Sequence, residues 1–283
     1  MSSSTGLEQS QANAAAQSAP PPHVIAELRG PVLWLTLNRP EQRNPLSGAM
    51  IAALTAEILA ANDNPGVRVL VISGSGPVFS AGHDLRELAR REDETEVQHK
   101  VRVRQVLEDC ARMMLAIVHS PKAIIACVQG TATAAGAQLV SACDLAIASE
   151  RASFCTPGVN IGVFCTTPLV GLGRNMHRKH AMQMALTGDM LSAEDAVRFG
   201  LLNEAVPAED LLSAVAALSA TIASKSALAI RGGKEAFYRQ IDMPLEQAFR
   251  AATEAMLQGL ASGEAAEGAR AFLEKRPPQW GDA

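Results

Sequence analysis

The sequence predicts an α/β fold with a helical C-terminal region, and three observations carry that prediction. Apolar, β-branched runs recur through the first half of the chain, as VRVLVISG, KAIIACVQG and CDLAIAS, each the length of a buried strand. Segments with helical spacing separate them, so the order strand, loop, helix, strand repeats and points to parallel βαβ units. Beyond Pro168 the pattern turns almost wholly helical, with Pro157, Gly162 and Pro168 punctuating the change. Aromatic residues make up only 4% of the chain, and an apolar mass of Ala, Leu and Val favours close helix packing over a β-sandwich.

Ordered structure is expected to begin near His23, where VIAEL and VLWLTL flank the turn Arg29-Gly30-Pro31 and read as two strands. NRPEQRNPLS is a loop. Ser47 then caps a helix that carries Met50, Leu54, Ile58 and Leu59 on one stripe and ends before Asn64-Pro65. The strand VRVLVISG leads into a glycine-rich loop, GSGPVFSAGHDL. Charges dominate from Asp84 to Arg104, which reads as a solvated helix face. KAIIACVQG is the next strand, TATAAGAQLVSA a small-residue helix start, and CDLAIAS a third strand. The chain thus divides into a tail over residues 1–22, a core domain over 23–210 and a helical region over 211–283.

Composition excludes several function classes. Hydrophobic residues are 48% and charged residues 19% of the 283, as in ordinary globular proteins. A net charge of −4 offers no field to gather nucleic acid or an anionic membrane, so neither partner is expected. No run reaches the roughly 18 apolar residues of a membrane span. The first 22 residues lack Lys, Arg and an apolar stretch, so they read as a disordered tail and not as a secretory signal or transit peptide. Five cysteines in mostly apolar runs read as reduced, buried thiols, which together with that tail predicts a cytoplasmic protein. No metal site is expected, because His177 and His180, which alone are closely spaced, sit among the cations of NMHRKH.

Two loops carry the chemistry. Gly74, Gly76 and Phe79 fill the places of a dinucleotide fingerprint whose third glycine is missing, so such a site is not indicated. What remains is FSAGHDL (Phe79 to Leu85), where small residues let a ligand approach backbone N–H groups. GTATAAGAQL (Gly130 to Leu139) likewise follows a strand, opens a helix and lacks bulky side chains at the end of the strands where ligands sit in α/β folds. Alone, the first reads equally as a tight turn, and the second reads better as close helix–sheet packing. Their joint occurrence favours a ligand site.

NRP (Asn38 to Pro40), FSAGHDL, GTATAAGAQLVSACDLAIAS, FCTPGVNIG and LTGDMLSAEDAVRFGLLNEAVP resemble, in order and spacing, the signatures of the crotonase (enoyl-CoA hydratase/isomerase) family over residues 23 to 275. The resemblance implies a spiral of ββα units with C-terminal helices that form trimers, often paired into hexamers. It implies an acyl-CoA substrate, with coenzyme A entering as part of that substrate and no separate cofactor. By position, the backbone N–H groups of His83 and Ala135 would form an oxyanion hole for the thioester. Ala81, Gly82, Asp84 and Leu85 on the first loop, and Thr133 and Ala134 on the second, would line the substrate. Arg43 matches the family's basic position for the CoA phosphates, and Lys234 could add charge from a neighbouring subunit.

Departures from the family pattern matter as much. Its hydratases use two glutamates, and those places hold Gln138 and Gly158, as in the subgroup of enoyl-CoA hydratase domain-containing proteins. An amide exchanges no proton near neutral pH and glycine has no side chain, so ordinary hydration should be very slow, each lost acid or base being worth about 10²–10⁴-fold. Asn160 and Cys165 lie close enough in sequence to Gly158 to contact the substrate. The resemblance implies first an enzyme of the enoyl-CoA hydratase/isomerase type that stabilises the enolate of an acyl-CoA thioester, in fatty-acid or acyl-CoA metabolism; a non-catalytic acyl-CoA binder and a thioesterase using Cys155 or Cys165 are the alternatives.

Overall fold

The computed structural model describes residues 21–281, so all of the expected tail except Pro21 and Pro22 lies outside the described residues. Strands β1 (Val24–Arg29) and β2 (Val32–Leu37) form an antiparallel hairpin whose turn places Gly30 at φ +59°. Parallel to β2 run β3 (Val69–Gly74), β5 (Ala123–Val128), β7 (Leu145–Ser149) and β10 (Glu204–Val206), giving a sheet in the order β1-β2-β3-β5-β7-β10. A second sheet, in the order β4-β6-β8-β9, consists of β4 (Val78–Ser80), β6 (Thr131–Thr133), β8 (Ser153–Cys155) and β9 (Leu191–Ser192). The pairs β3/β4, β5/β6 and β7/β8 each give one strand to each sheet, and stacking those turns builds the spiral of ββα units. The short strands β4 and β6 fall in segments that the sequence marks as a loop and a helix start, and β8 in a segment to which it assigns no element. Three residues are too few to display a period of two, and neighbouring turns of the spiral supply their pairing.

The helices follow their signals closely. Helix α1 (Gly48–Asn62) is capped by Ser47, whose hydroxyl accepts the Met50 N–H at 3.3 Å, and it buries Met50, Leu54 and Ile58. Leu59 is 51% exposed and lies off that stripe, because one residue turns the helix by about 100°. Helices α2 (Leu85–Leu88) and α3 (Glu96–Val118) hold the charged stretch, which is latched as well as solvated. Arg102 binds Glu94 at 2.8 Å and donates to the carbonyls of Glu87 and Ala89, and its guanidinium holds the Glu94 carboxyl down at about 2. Helix α4 (Ala135–Ala142) is buried along its whole length, followed by α5 (Pro168–Asn175), α6 (Arg178–Thr187) and α7 (Ala193–Arg198). All five cysteines are free thiols, and only Cys165 is not buried.

The C-terminal region divides by what it packs against. Helix α8 (Leu211–Ala223) presses Leu211 and Val215 onto Val32, Trp34, Val69, Val71, Ile125 and Ile147 of the large sheet, so it covers the core. Helices α9 (Ala227–Gln240), α10 (Leu245–Leu260) and α11 (Gly263–Leu273) bury little apart from Ala248 and Ala271. No single helix among the described residues is long and apolar enough to cross a membrane.

Helix α9 is fastened by charge. Lys234 Nζ donates to Asp144 Oδ2 at 2.7 Å and to the carbonyls of Lys122 and Ile117 at 2.9 and 3.1 Å. Tyr238 donates its hydroxyl to Asp144 Oδ1, and the same carboxylate accepts the Ile124 N–H. Burial lowers the Lys234 pKa even with Asp144 opposing it. This corrects the expectation that Lys234 binds CoA phosphates, since three internal acceptors already use its three N–H donors. Removing one partner of a buried pair strands the other charge, so Lys234→Met should cost about 3–5 kcal/mol in denaturant unfolding. A loss below 1 kcal/mol would show that the pair does not hold α9.

Candidate functional site

The site is built where the second sheet ends. Strand β4 runs into Ala81-Gly82-His83, and the NRPEQRNPLS loop holds this turn from behind. Asn44, fully buried at φ +49°, accepts the Arg39 N–H at 2.8 Å and donates to the carbonyls of Ser75 and Val78 at 2.9 and 2.8 Å. The Ala81 N–H goes to the Arg43 carbonyl, the Leu46 N–H to the Gly82 carbonyl, and the Ser80 hydroxyl to the Asn44 carbonyl. Arg43 itself is exposed, and its backbone is left-handed at φ +64°. Asp84 caps α2, and its paired Arg86 keeps the carboxyl below the usual range, while the Leu85 side chain is exposed.

The two small-residue loops meet. Gly82 adopts φ +84°, and a Cβ there would lie 2.9 Å from the Thr133 carbonyl oxygen, 3.0 Å from Ala134 Cβ and 3.1 Å from the Ala135 nitrogen. Only glycine permits both the conformation and the approach. The Thr133 hydroxyl donates to the Ala81 carbonyl at 3.0 Å and ties the loops together. Ala134 is held at φ +49°, ψ −118°, a corner normally given to glycine, and strain of that kind costs about 1–3 kcal/mol. Its N–H goes to the Cys155 carbonyl at 2.9 Å, which leaves Ala135 as the first residue of α4. Among the described residues, neither the His83 N–H nor the Ala135 N–H has a hydrogen-bond acceptor.

Side chains around this point are also short of partners. Four buried side-chain polar atoms lack a partner among the described residues, and three of them, His83 Nε2, Gln138 Oε1 and Thr156 Oγ1, belong to residues near Ala134: Gln138 follows it in the chain, Thr156 follows Cys155, whose carbonyl accepts the Ala134 N–H, and His83 follows Gly82, which packs against it. Gln138 lies one turn into α4 and is only 7% exposed, and its side chain leans toward the helix N-terminus as helical side chains do. Burial lowers the His83 pKa, outweighing the Leu46 carbonyl and the more distant Glu87 carboxylate.

Gly158 is sealed from the other side. A Cβ on it would overlap the Val163 carbonyl oxygen and lie 2.8 Å from Cys165 Sγ, so the loop 162–165 fills the room a side chain would need. Asn160 is exposed and turned toward Gly188, at the end of α6, where a Cβ would lie 2.9 Å from its amide nitrogen. The sequence did not single out Asn44, Ser80 or Thr156. Among the described residues no cluster of His, Cys, Asp or Glu suits a metal ion.

The enoyl-CoA hydratase/isomerase family model matches residues 27–283. Human "enoyl-CoA hydratase domain-containing protein 3, mitochondrial" is 41% identical over 264 residues, 93% of this chain and 85% of that protein. A putative enoyl-CoA hydratase of Thermus thermophilus is 36% identical over 252 residues, 89% of this chain and 98% of that protein. Among solved structures, human enoyl Coenzyme A hydratase domain-containing protein 3 superposes with a TM-score of 0.87 at 41% identity, over 91% of this chain and 100% of the other. An enoyl-CoA hydratase of Mycobacterium smegmatis gives a TM-score of 0.86 at 41% identity, over 92% and 99%. The relatives from Mus musculus, Rattus norvegicus, Danio rerio, Homo sapiens and Xenopus laevis are all named mitochondrial, which overturns the cytoplasmic expectation. Thiol content and tail composition do not encode an address, because sorting is read by receptors from local segments.

Both tight glycines are testable. Gly82→Ala and Gly158→Ala should each lower unfolding free energy by about 1–3 kcal/mol, the usual cost of overpacking. Changes under 0.5 kcal/mol in denaturant titrations would mean that the loops do not meet as described.

Proposed function

The chain belongs to the enoyl-CoA hydratase/isomerase family, and from that premise we propose that it binds an acyl-CoA thioester and stabilises the enolate of its acyl group between the N–H groups of His83 and Ala135. The observation that carries this reading is the close approach of Gly82 to Ala135, beside two amides that have no acceptor of their own. Fixed donors aimed at a developing oxyanion are worth about 3–4 kcal/mol each at the transition state, because they need no reorganisation as charge appears. The role uses main chain only, so it survives the loss of both family glutamates.

Coenzyme A enters as part of the substrate, and Arg43 is the basic residue proposed for its phosphates. A homotrimer or hexamer is proposed from the apolar stripe of α10, where Leu245, Phe249, Met256 and Leu260 are each at least 64% exposed. Acyl-CoA or fatty-acid metabolism is the setting that this chemistry implies.

Gln138 and the sealed Gly158 favour a second reading, an acyl-CoA binder without turnover. A thioesterase through Cys155 is disfavoured, since burial pushes that thiol up to about 11 and leaves almost no thiolate near neutral pH.

Calorimetry with butyryl-CoA and its thioether analogue S-butyl-CoA tests the proposal. The two differ by the carbonyl oxygen, so butyryl-CoA should bind about 10-fold tighter or more, two hydrogen bonds contributing about 1 kcal/mol each. Equal affinities would remove the carbonyl from the two amides. Hydration or isomerisation of an acyl-CoA panel would mark an enzyme, and tight binding without turnover a binder.

A further inference from the structure

His83 carries more than an amide. Its Nδ1 lies 3.3 Å from the Leu46 carbonyl oxygen, and a carbonyl only accepts, so Nδ1 bears the hydrogen. In a neutral imidazole that leaves Nε2 as a bare lone pair, and this atom is buried with no partner among the described residues. The ring is therefore fixed in one tautomer by a backbone carbonyl, which is how an oriented base is built.

We infer that His83 Nε2 is the base that removes the α-proton of the bound acyl thioester. The inference rests on the acyl-thioester reading above and supplies the proton acceptor which that reading lacks. Nε2 forms the new N–H bond as the Cα–H bond breaks. The freed electron pair becomes the C1–C2 double bond of the enolate, and the negative charge settles on the thioester oxygen between the two amides. Returning the proton to Cα reverses the step, so no further reactant is consumed.

Other groups nearby are unsuited to the task. The Gln138 amide and the Thr156 hydroxyl do not take up a proton near neutral pH, though both can hold the acyl group in place. Asp84 is engaged by Arg86 and by the α2 cap. Glu87, the charged group that acts on the His83 ring, spends a carboxylate oxygen on the Gly48 N–H at 2.8 Å. Burial holds the imidazole neutral through pH 7, the form a base requires.

Exchange of α-protons for deuterium in butyryl- and octanoyl-CoA, followed by proton NMR in D2O, reads this step whatever the final product. The wild-type protein should exchange them, with a rate flat through neutral pH that falls only below the ordinary histidine value of 6.5 as the ring protonates. His83→Ala, which removes the imidazole and keeps the backbone N–H, should still bind both thioesters by calorimetry and exchange at least about 100-fold more slowly. Added imidazole should restore part of that rate, which a purely structural role would not allow. Full exchange by His83→Ala, or tight binding by wild type without exchange, would overturn the inference and leave the binding proposal standing. Failure of wild type to bind either thioester would overturn both.

Discussion

The site depends on one steric constraint, the contact between the backbone at Gly82 and the segment Thr133–Ala135. It brings together two strand ends about 50 residues apart in sequence, and it exists only because position 82 has no side chain. The residues around it serve that contact. Asn44 ties down the loop behind β4, Ser80 locks onto Asn44, and the Thr133 hydroxyl spans the gap to Ala81. Ala134 holds an unfavourable conformation, and the cost is met by the buried sheet and helix on either side.

On the proposed reading, that arrangement lets an acyl thioester be polarised without the two family glutamates, whose places the resemblance assigns to Gln138 and Gly158. Stabilising an oxyanion through amides needs only that two N–H groups be fixed and free, whereas hydration needs carboxylates with room to reach a water. Gln138, where the resemblance places one carboxylate, leaves its Oε1 buried without a partner among the described residues, and Gly158, where it places the other, is closed in by the Val163 carbonyl and Cys165. On the proposed reading the polarising half of the chemistry rests on main chain alone, and the half that moves protons needs another group. A histidine whose tautomer is set by Leu46 is well placed to take over the second task.

Much of this was legible in the sequence because it is written in small residues. FSAGHDL and GTATAAGAQL stand out for lacking bulk after a strand, and the long strands stand out as β-branched runs. The three-residue strands were invisible, since their pairing comes from neighbouring turns of the spiral and not from their own pattern. Lys234 was misread because a lysine on a helix looks solvated until its fold partner, Asp144, is known to lie 90 positions upstream. Asn44 carried a faint signal as a polar residue in a proline-bounded loop. The His83 imidazole stood beside the ligand loop in sequence, but its unpaired nitrogen follows only from the Leu46 carbonyl that fixes the ring.

The most direct measurement is isotope-edited infrared spectroscopy of acyl-CoA carrying carbon-13 at the thioester carbonyl. Two amides closing on the oxygen draw electrons toward it and weaken the bond, so the carbonyl stretch of the bound thioester should move to lower frequency than in water. A bound thioester whose carbonyl absorbs at the solution frequency, or higher, would contradict the account.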